Sequence, residues 1–501
     1  MLDLSSMNDL MFPGLPPVNN DRRFVTASKT IHNETVPTPS IPQGFADSNA
    51  YLRHLVNKGA INHYGCMVPK DVEKRINHEL SIIEQKGLAD YILFIKDSMK
   101  TARESMRDRE MRSQSLDSCL ILCLKGRALC CMVNYLLDIT TINPIEHHLP
   151  FETFVNETTM GIPNISMDVD SEHANEFINL MKKKYGNQMA PLFFEHERKA
   201  DGQKRRMIHY DQWAIANKSI ESLMPMCEVY DEKRGENVLC PIYSKSGEMR
   251  EHIYERGAMI QSTMDWRPLS TLNKMLDKIK PDSSNADKLR ILKAIPIDDP
   301  ATMNLFRTGD TEDIYLFATP DMREHLISLH PDTLMDLMTL NALHTPSHRN
   351  TPLLLEFFRR KKSGKVIDYP IPEMAEVLDE TYGLLLYPEQ LMLLAHKLGN
   401  LALSDAYTLS ISMSRIRRDR DLVMNHYQPL FIMGGCENGY SKDLLERIFT
   451  SWWQYGGFAK IFPKCVDFGL IQMSYQIAYL KTHYPKEWAE LHILKNIFTH
   501  R

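Results

Sequence analysis

Asp168 and Asp170 form the pair of side chains in this sequence whose type and spacing best suit metal chemistry. They close the stretch 162–170, in which apolar and polar residues alternate as they do in a β-strand. Residues two apart project from the same face of a strand, so the two carboxylates would lie about 7 Å apart along the backbone. Such oxygen ligands suit Mg²⁺, whose shell is completed by phosphate and water. D-x-D pairs are also common on solvated strand faces, so this motif alone leaves both interpretations open.

A run of basic residues precedes Gly364 and could contact nucleic acid: Arg359, Arg360, Lys361 and Lys362. Contact with DNA phosphates would give affinity that depends on salt and not on base sequence. The end of a solvated helix, where the helix dipole favours cations, explains the run equally well. The aromatic residues Trp452, Trp453 and Tyr455 could stack on bases, but in a helical unit aromatic residues more often belong to the core.

The nine cysteines show no paired CxxC spacing, which argues against both a disulfide framework and a zinc finger. Four of them cluster in sequence: Cys119, Cys123, Cys130 and Cys131. No histidine or second cysteine pair stands nearby at metal-ligand spacing. We therefore expect small buried residues in a reducing compartment.

The composition is that of a globular protein, with 501 residues, 43% hydrophobic and 25% charged. This length predicts roughly two to four domains. A net charge of −5 does not attract a polyanion to the molecule as a whole, so any nucleic-acid contact requires local basic patches. The sequence has no apolar run long enough for a membrane span and no secretory start, which predicts a cytoplasmic protein.

Several elements can be predicted around the aspartate pair. Residues 1–49 are rich in proline and polar residues and predict an extended or disordered leader. Apolar residues recur at helical spacing from 50 to about 101. Lys182, Lys183 and Lys184 before Tyr185 and Gly186 predict the basic end of another helix. The chain from Pro296 onward is mostly helical in pattern, with proline breaks.

Collinear segments from about residue 40 to residue 490 resemble the C-family DNA polymerases, of the type of the bacterial DNA polymerase III alpha subunit. "ISMDVDS" is similar to the family's D-x-D-x-D-F strand, with Ser166 at the first acidic position. "MDWRPLSTL" lines up with its "FDFLGLRTL", which places the family's third aspartate at Asp265. Segments such as "RINHELSIIEQKGLADYILFIKD", "VLDETYGLLLYPEQLM" and "SYQIAYLKTHYPKEW" agree in the same order.

The resemblance implies an α+β fold with a polymerase-beta-like nucleotidyltransferase palm, a helical thumb and large helical fingers. The first part of the palm would occupy 50–185, a shortened thumb 186–235, the second part of the palm 236–285, and the fingers 286–501. The family's phosphoesterase, helix-hairpin-helix, nucleic-acid-binding barrel and clamp-loader-binding parts have no counterpart here, so proofreading and autonomous clamp binding are not expected.

The resemblance also implies a DNA-directed DNA polymerase that uses primer-template DNA, deoxynucleoside triphosphates and two Mg²⁺ ions, with Mn²⁺ as a substitute. Asp168, Asp170 and Asp265 would hold the metals. The triphosphate would meet residues that match the family's nucleotide-binding segments: Lys125, Gly126, Arg127, Arg415, Arg417 and Lys460. Replication or repair proteins would be further partners.

The sequence departs from the family at the nucleotide loop. The family's "GPGRGSxAGS" cradles phosphate with backbone amides, but the matching positions read "LCLKGRALCC". Either Lys125 and Arg127 substitute charge for the lost glycines, or the segment has become a packed apolar helix start. Family arginines are replaced by Thr153 and Thr159, and "RPGP" reads "TPSH" at 345–348. An alternative is therefore a catalytically degenerate relative that binds DNA or a replication partner.

Overall fold

The computed structural model describes fourteen stretches of more than one residue between 41 and 491, together with Pro163 and Ile165. The stretches are 41–109, 121–123, 126–159, 167–169, 174–185, 189–198, 204–210, 222–231, 236–241, 260–261, 267–281, 283–344, 352–454 and 463–491, the first and second of these being separated by a gap of eleven residues. Residues 1–40, most of the predicted leader, lie outside this description.

The first part of the chain is helical and leads into the strand that carries Asp168. Its helices and strands are α1 (Ser48–Tyr64), α2 (Lys70–Gln85), α3 (Ala89–Arg109), β1 (Ile121–Leu122), a 3₁₀ helix (Arg127–Cys130), α4 (Met132–Leu136), β2 (Met167–Val169) and α5 (Ala174–Tyr185). The sequence determines several of these ends. Asp47 caps α1 by accepting a hydrogen bond from the Ala50 amide, and α5 ends in the predicted lysine-rich turn.

The predicted strand around Asp168 is present and belongs to a mixed sheet. The strands after it are β3 (Met189–Arg198), β4 (Lys204–Tyr210), β5 (Ser222–Asp231), β6 (Glu236–Pro241) and β7 (Ile260–Gln261). The sheet order is β1-β2-β7-β5-β3-β4, and β6 pairs with β5. β1 is antiparallel to β2, whereas β2 and β7 run parallel.

The predicted helical thumb, 186–235, is wrong in its secondary structure where the structure describes it. Residues 189–198, 204–210 and 222–231 form antiparallel strands of the same sheet rather than helices. Each strand is a short run containing apolar and aromatic residues, and an Asp-Gly pair at 201–202 stands between the first two. These features are local signals of a β-hairpin, and β3 and β4 form one.

The rest of the described chain is helical, as predicted for the fingers, and this helical part begins at 267, within the segment predicted as the second part of the palm. Its helices are α6 (Arg267–Ile279), α7 (Asn285–Ala294), α8 (Pro300–Arg307), α9 (Pro320–Leu329), α10 (Leu334–Leu343), α11 (Pro352–Ser363), α12 (Ala375–Leu378), α13 (Pro388–Gly399), α14 (Leu403–Ser414), α15 (Ile416–Leu422), α16 (Gln428–Glu437), α17 (Lys442–Gln454) and α18 (Lys464–His483). Among the described residues, no helix combines the length and apolarity that a membrane crossing requires.

The predicted fingers contribute to two hydrophobic cores. One core lies within residues 371–452 and includes Trp452, which packs against Phe431 and Phe449 as an ordinary core residue. Its helices approach very closely: a Cβ added at Gly434 would lie 2.0 Å from the carbonyl oxygen of Gly399. The other core joins α1 to α11 with α18.

Helix α18 connects the end of the chain to the first part of the fold. Lys464 Nζ donates to the carbonyl of His147 at 2.9 Å, and Asn341 of α10 donates to Asp467 at 2.6 Å. α18 also packs against the 3₁₀ helix 127–130. The position of that 3₁₀ helix therefore depends on a helix more than 330 residues away in sequence.

Candidate functional site

Asp168 lies at the centre of β2 and its side chain is fully buried. It is paired in register with Leu122 of β1 on one side and with Gln261 of β7 on the other. Asp170 and Asp265, the other two predicted metal ligands, lie outside the described residues. The structure thus describes one member of the predicted triad, on the strand that the alternation predicted.

β2 and β7 run parallel, so the carboxyl ends of these two strands lie at the same edge of the sheet. Asp170 is the residue directly after β2, and Asp265 follows the end of β7 by four residues. The carboxyl ends of adjacent parallel strands meet at the same edge. The chain therefore leaves both strands toward the side on which the predicted site would be built.

Tyr315, which precedes α9, is a neighbour of Asp168 that the sequence reasoning did not single out. Burial raises the pKa of the Tyr315 hydroxyl, and the negative charge of Asp168 raises it further. Tyr315 stands in a segment that resembles the family, "EDIYLF", but its residue type carried no signal for proximity to the aspartate. A phenol beside a carboxylate can donate a hydrogen bond to it.

The predicted nucleotide loop follows β1 and is partly packed into the core. Gly126 has φ 93° and ψ 179°, a backbone conformation that only glycine adopts readily. Ala128, Leu129 and Cys130 in the 3₁₀ helix after it are fully buried. The described part of the segment is thus a packed apolar helix start, while Lys125 lies outside the described residues.

Arg127 is half-buried at the start of the 3₁₀ helix. Its guanidinium carbon lies 5.5 Å from the centroid of the Tyr407 ring in α14, which is within the range of a cation–π contact. This contact joins the loop to the fingers core.

A buried ion pair in α2 holds the end of the loop. Glu79 is fully buried and accepts hydrogen bonds from Arg75 Nε at 2.6 Å and from the amides of Met132 and Val133 at 2.9 Å each. Arg75 Nη2 donates to the carbonyl of Cys130 at 2.8 Å. A carboxylate thus satisfies the first amides of α4, so these two donors are engaged by the protein itself.

The remaining predicted nucleotide ligands are described only in part. Arg415 is exposed at the end of α14. The side chain of Arg417 and the whole of Lys460 lie outside the description. Lys464, which opens α18, is buried and pairs with Glu380 at 2.6 Å, so its charge is used to join helices. At one position where the family has arginine, Thr153 is buried and donates to the Met392 sulfur at 3.5 Å.

The predicted DNA-contacting residues form the basic end of α11, and three of them are in ion pairs. Arg359 and Arg360 both bind Glu356, at 2.7 Å. Lys361 is largely buried and binds Asp332 and Asp336, at 2.6 and 2.9 Å. Lys362 is exposed. Local acids therefore compensate most of the positive charge that the sequence placed here.

Comparisons with known proteins agree with this architecture. The family model described as the bacterial DNA polymerase III alpha NTPase domain matches residues 50–194, and that described as the bacterial DNA polymerase III alpha subunit finger domain matches residues 268–439. The DNA polymerase III subunit alpha of Halalkalibacterium halodurans is 24% identical over 87% of this chain and 42% of its own length. That of Borreliella burgdorferi is 26% identical over 93% of this chain and 44% of its own length.

A third relative, the DNA polymerase III subunit alpha of Bacillus subtilis, is 24% identical over 90% of this chain and 43% of its own length. The chain thus spans less than half the length of the curated relatives it matches. The two matching models come from one polymerase subunit, occur in collinear order and together cover more than half of the sequence. The chain belongs to the bacterial DNA polymerase III alpha family.

Proposed function

We propose that the chain is a DNA-directed DNA polymerase that transfers deoxynucleotides to a primer by two-metal chemistry. Asp168, Asp170 and Asp265 would hold the Mg²⁺ ions, which would stabilise the charge that develops on the phosphoryl oxygens. Primer-template DNA and deoxynucleoside triphosphates would be the substrates. Carboxylates on a rigid strand are the hard oxygen donors that Mg²⁺ prefers, so the donor set fits the proposed ion.

The observation that carries this proposal is the arrangement of three short strands. β1 leads into the loop predicted to meet the triphosphate, and it pairs directly with the strand that carries Asp168. β7 runs parallel to that strand and leads toward Asp265. Segments that are separated by more than 130 residues in sequence are therefore neighbouring strands of one sheet, which supports the proposal that the residues flanking them form one site.

A primer-extension assay with Mg²⁺ or Mn²⁺ tests the proposal. Asp168→Asn keeps the size of the side chain and removes the charge that would bind the metal, so we expect a loss of rate on the order of 10²- to 10³-fold or more. Asp443→Asn, an exposed acid in α17, serves as the matched control and should leave the rate unchanged. Extension that is equally fast in both variants would contradict the proposed role of Asp168.

Nucleotide affinity tests the loop separately. Under the proposal, Lys125 and Arg127 meet the triphosphate by charge, so binding should weaken as salt rises. Replacing both by alanine should abolish measurable affinity for a deoxynucleoside triphosphate while far-ultraviolet circular dichroism stays unchanged. Unchanged affinity in the double variant would refute this role.

The described loop also favours a second candidate function, a non-catalytic polymerase relative that binds DNA or a replication partner. Ala128, Leu129 and Cys130 are buried, and Glu79 engages the amides that follow them. In this case the wild-type protein would bind primer-template DNA with a marked salt dependence but would extend no primer with either metal.

A further inference from the structure

Two cysteines and a glutamate from three distant parts of the sequence meet beside the core that joins α1 to α11 with α18. Cys130 ends the 3₁₀ helix of the loop, Glu389 lies in the first turn of α13, and Cys465 lies in the first turn of α18. Their sulfur atoms and a carboxylate oxygen all lie within 4.8 Å of one another, and all three residues are buried. We propose that Cys130, Glu389 and Cys465 bind one Zn²⁺ ion, independently of the proposed polymerase activity.

The geometry is close to that of a zinc site. Zn–S bonds of about 2.3 Å place two thiolate sulfurs about 3.8 Å apart in a tetrahedral shell. The two sulfurs here lie within 4.8 Å of each other, so their separation would need to shorten by about 1 Å or less. Three protein ligands and one water complete such a shell. Thiolates are soft ligands that select Zn²⁺ over Mg²⁺, which distinguishes this site from the aspartates of the proposed active centre.

The charges around the cluster are suited to a bound cation. Two thiolates, one carboxylate and Zn²⁺ have a net charge of −1, and the nearby Arg127 guanidinium, whose charge acts on the Cys465 thiol, brings the total to zero. The amino end of α18 adds positive potential, which favours anionic ligands in its first turn. Without a metal, three acidic groups are buried together and must be kept protonated or held by hydrogen bonds.

Hydrogen bonds already orient the carboxylate. Glu389 Oε2 accepts from the Lys464 amide at 2.9 Å, and Oε1 accepts from the Cys465 amide at 3.3 Å. A carboxylate has about four lone-pair positions, so these two bonds leave acceptor capacity for a metal. The Cys465 thiol favours its protonated form without a metal, because burial raises its pKa well above the ordinary value and its hydrogen bond with Cys130 raises the pKa further. A metal would displace this proton on binding.

Zinc coordination by these three residues would link the nucleotide loop to the predicted fingers. Cys130 occupies a position where the family's nucleotide loop has glycine, and the two other ligands begin helices of the predicted fingers segment. A bound zinc would hold the loop against α13 and α18.

Cobalt substitution tests the site in the full chain. The protein is stripped with a chelator under reducing conditions and titrated with Co²⁺, whose thiolate complexes show a charge-transfer band in the near ultraviolet. We expect a band that saturates at one equivalent, disappears in Cys130→Ser and Cys465→Ser, and is displaced by Zn²⁺. Cys131→Ser, in the same segment but outside the cluster, should retain the band, as should the exposed Cys436→Ser.

Zinc X-ray absorption of the wild-type protein decides the question even if a variant fails to fold. Two sulfur neighbours at about 2.3 Å, with the remaining ligands oxygen, are expected. Absence of cobalt and zinc binding by the wild-type protein would overturn the proposal and leave Glu389 as a cap of α18. A band that survives in both cluster variants, or a zinc shell without sulfur, would overturn it as well.

Discussion

The substitution Glu79→Gln tests whether a buried carboxylate holds the end of the nucleotide loop. Glutamine has the same shape but no charge, and its amide group must face donors that now point at carboxylate oxygens. Those donors are Arg75 Nε, at 2.6 Å, and the amides of Met132 and Val133, at 2.9 Å. A hydrogen bond to a charged group contributes about 1.5–3 kcal/mol, and breaking a buried ion pair costs about 3–5 kcal/mol in total.

We therefore expect Glu79→Gln to lower the local free energy of opening by about 3–5 kcal/mol. Since each 1.36 kcal/mol is tenfold in an equilibrium constant, hydrogen exchange of the Met132 and Val133 amides should accelerate by about 10²- to 10⁴-fold. Glu73→Gln, an exposed acid on the same helix, is the matched control and should change the exchange rates little. Exchange that accelerates less than about fivefold would show that packing of the 3₁₀ helix holds the loop without the carboxylate.

Two further predictions concern buried charges in the helical part. Burial raises the pKa of Asp467 to about 7. The stability that this group contributes is therefore fully present below its unfolded pKa of about 4 and is lost as pH rises through 7. Asp467→Asn should remove up to about 4 kcal/mol of this pH-dependent loss, and parallel pH profiles of urea unfolding for the two proteins would contradict the prediction. Lys361→Met should destabilise the fold by about 3–5 kcal/mol because it removes the cation paired with the buried Asp336 carboxylate, which keeps only its hydrogen bonds from two amides and the Tyr382 hydroxyl. Lys362→Met should change the free energy of urea unfolding by less than about 0.5 kcal/mol and, under the proposed function, reduce only the salt dependence of DNA binding. Equal effects of the two substitutions on unfolding would refute this division of roles.

The sequence predicted the elements whose signal is local. Alternation around Asp168 predicted a strand, and the structure has β2 there. The lysines before Tyr185 predicted the end of a helix, and α5 ends at Tyr185. The strands within 189–231 were not predicted, because the resemblance implied a helical thumb; the Asp-Gly pair at 201–202 and the apolar runs beside it are the local signals of a hairpin.

The ion pairs of the basic run in α11 could be predicted from the sequence only in part. Glu356 precedes Arg359 and Arg360 by three and four residues, and this spacing on a helix predicts the ion pairs that the structure shows. The partners of Lys361 lie on another helix, so no spacing in the sequence could indicate them. The meeting of Cys130 with Cys465 is of the same kind, because only tertiary packing brings α18 to the loop.

The packing of the nucleotide loop at 126–131 restricts where a nucleotide can approach under the proposed function. Its carboxyl-terminal half faces the core, since Ala128 to Cys130 are buried and Arg75 binds the Cys130 carbonyl. The backbone at Gly126 is open instead, because a Cβ added there would meet nothing within 4 Å. Because the amides after the 3₁₀ helix are already bound by Glu79, phosphate contacts fall to the open backbone at Gly126 and to the charged residues on either side of it, Lys125 and Arg127. Loss of the family's other glycines is then compatible with nucleotide binding, provided that side-chain charge replaces the amides that packing has taken up.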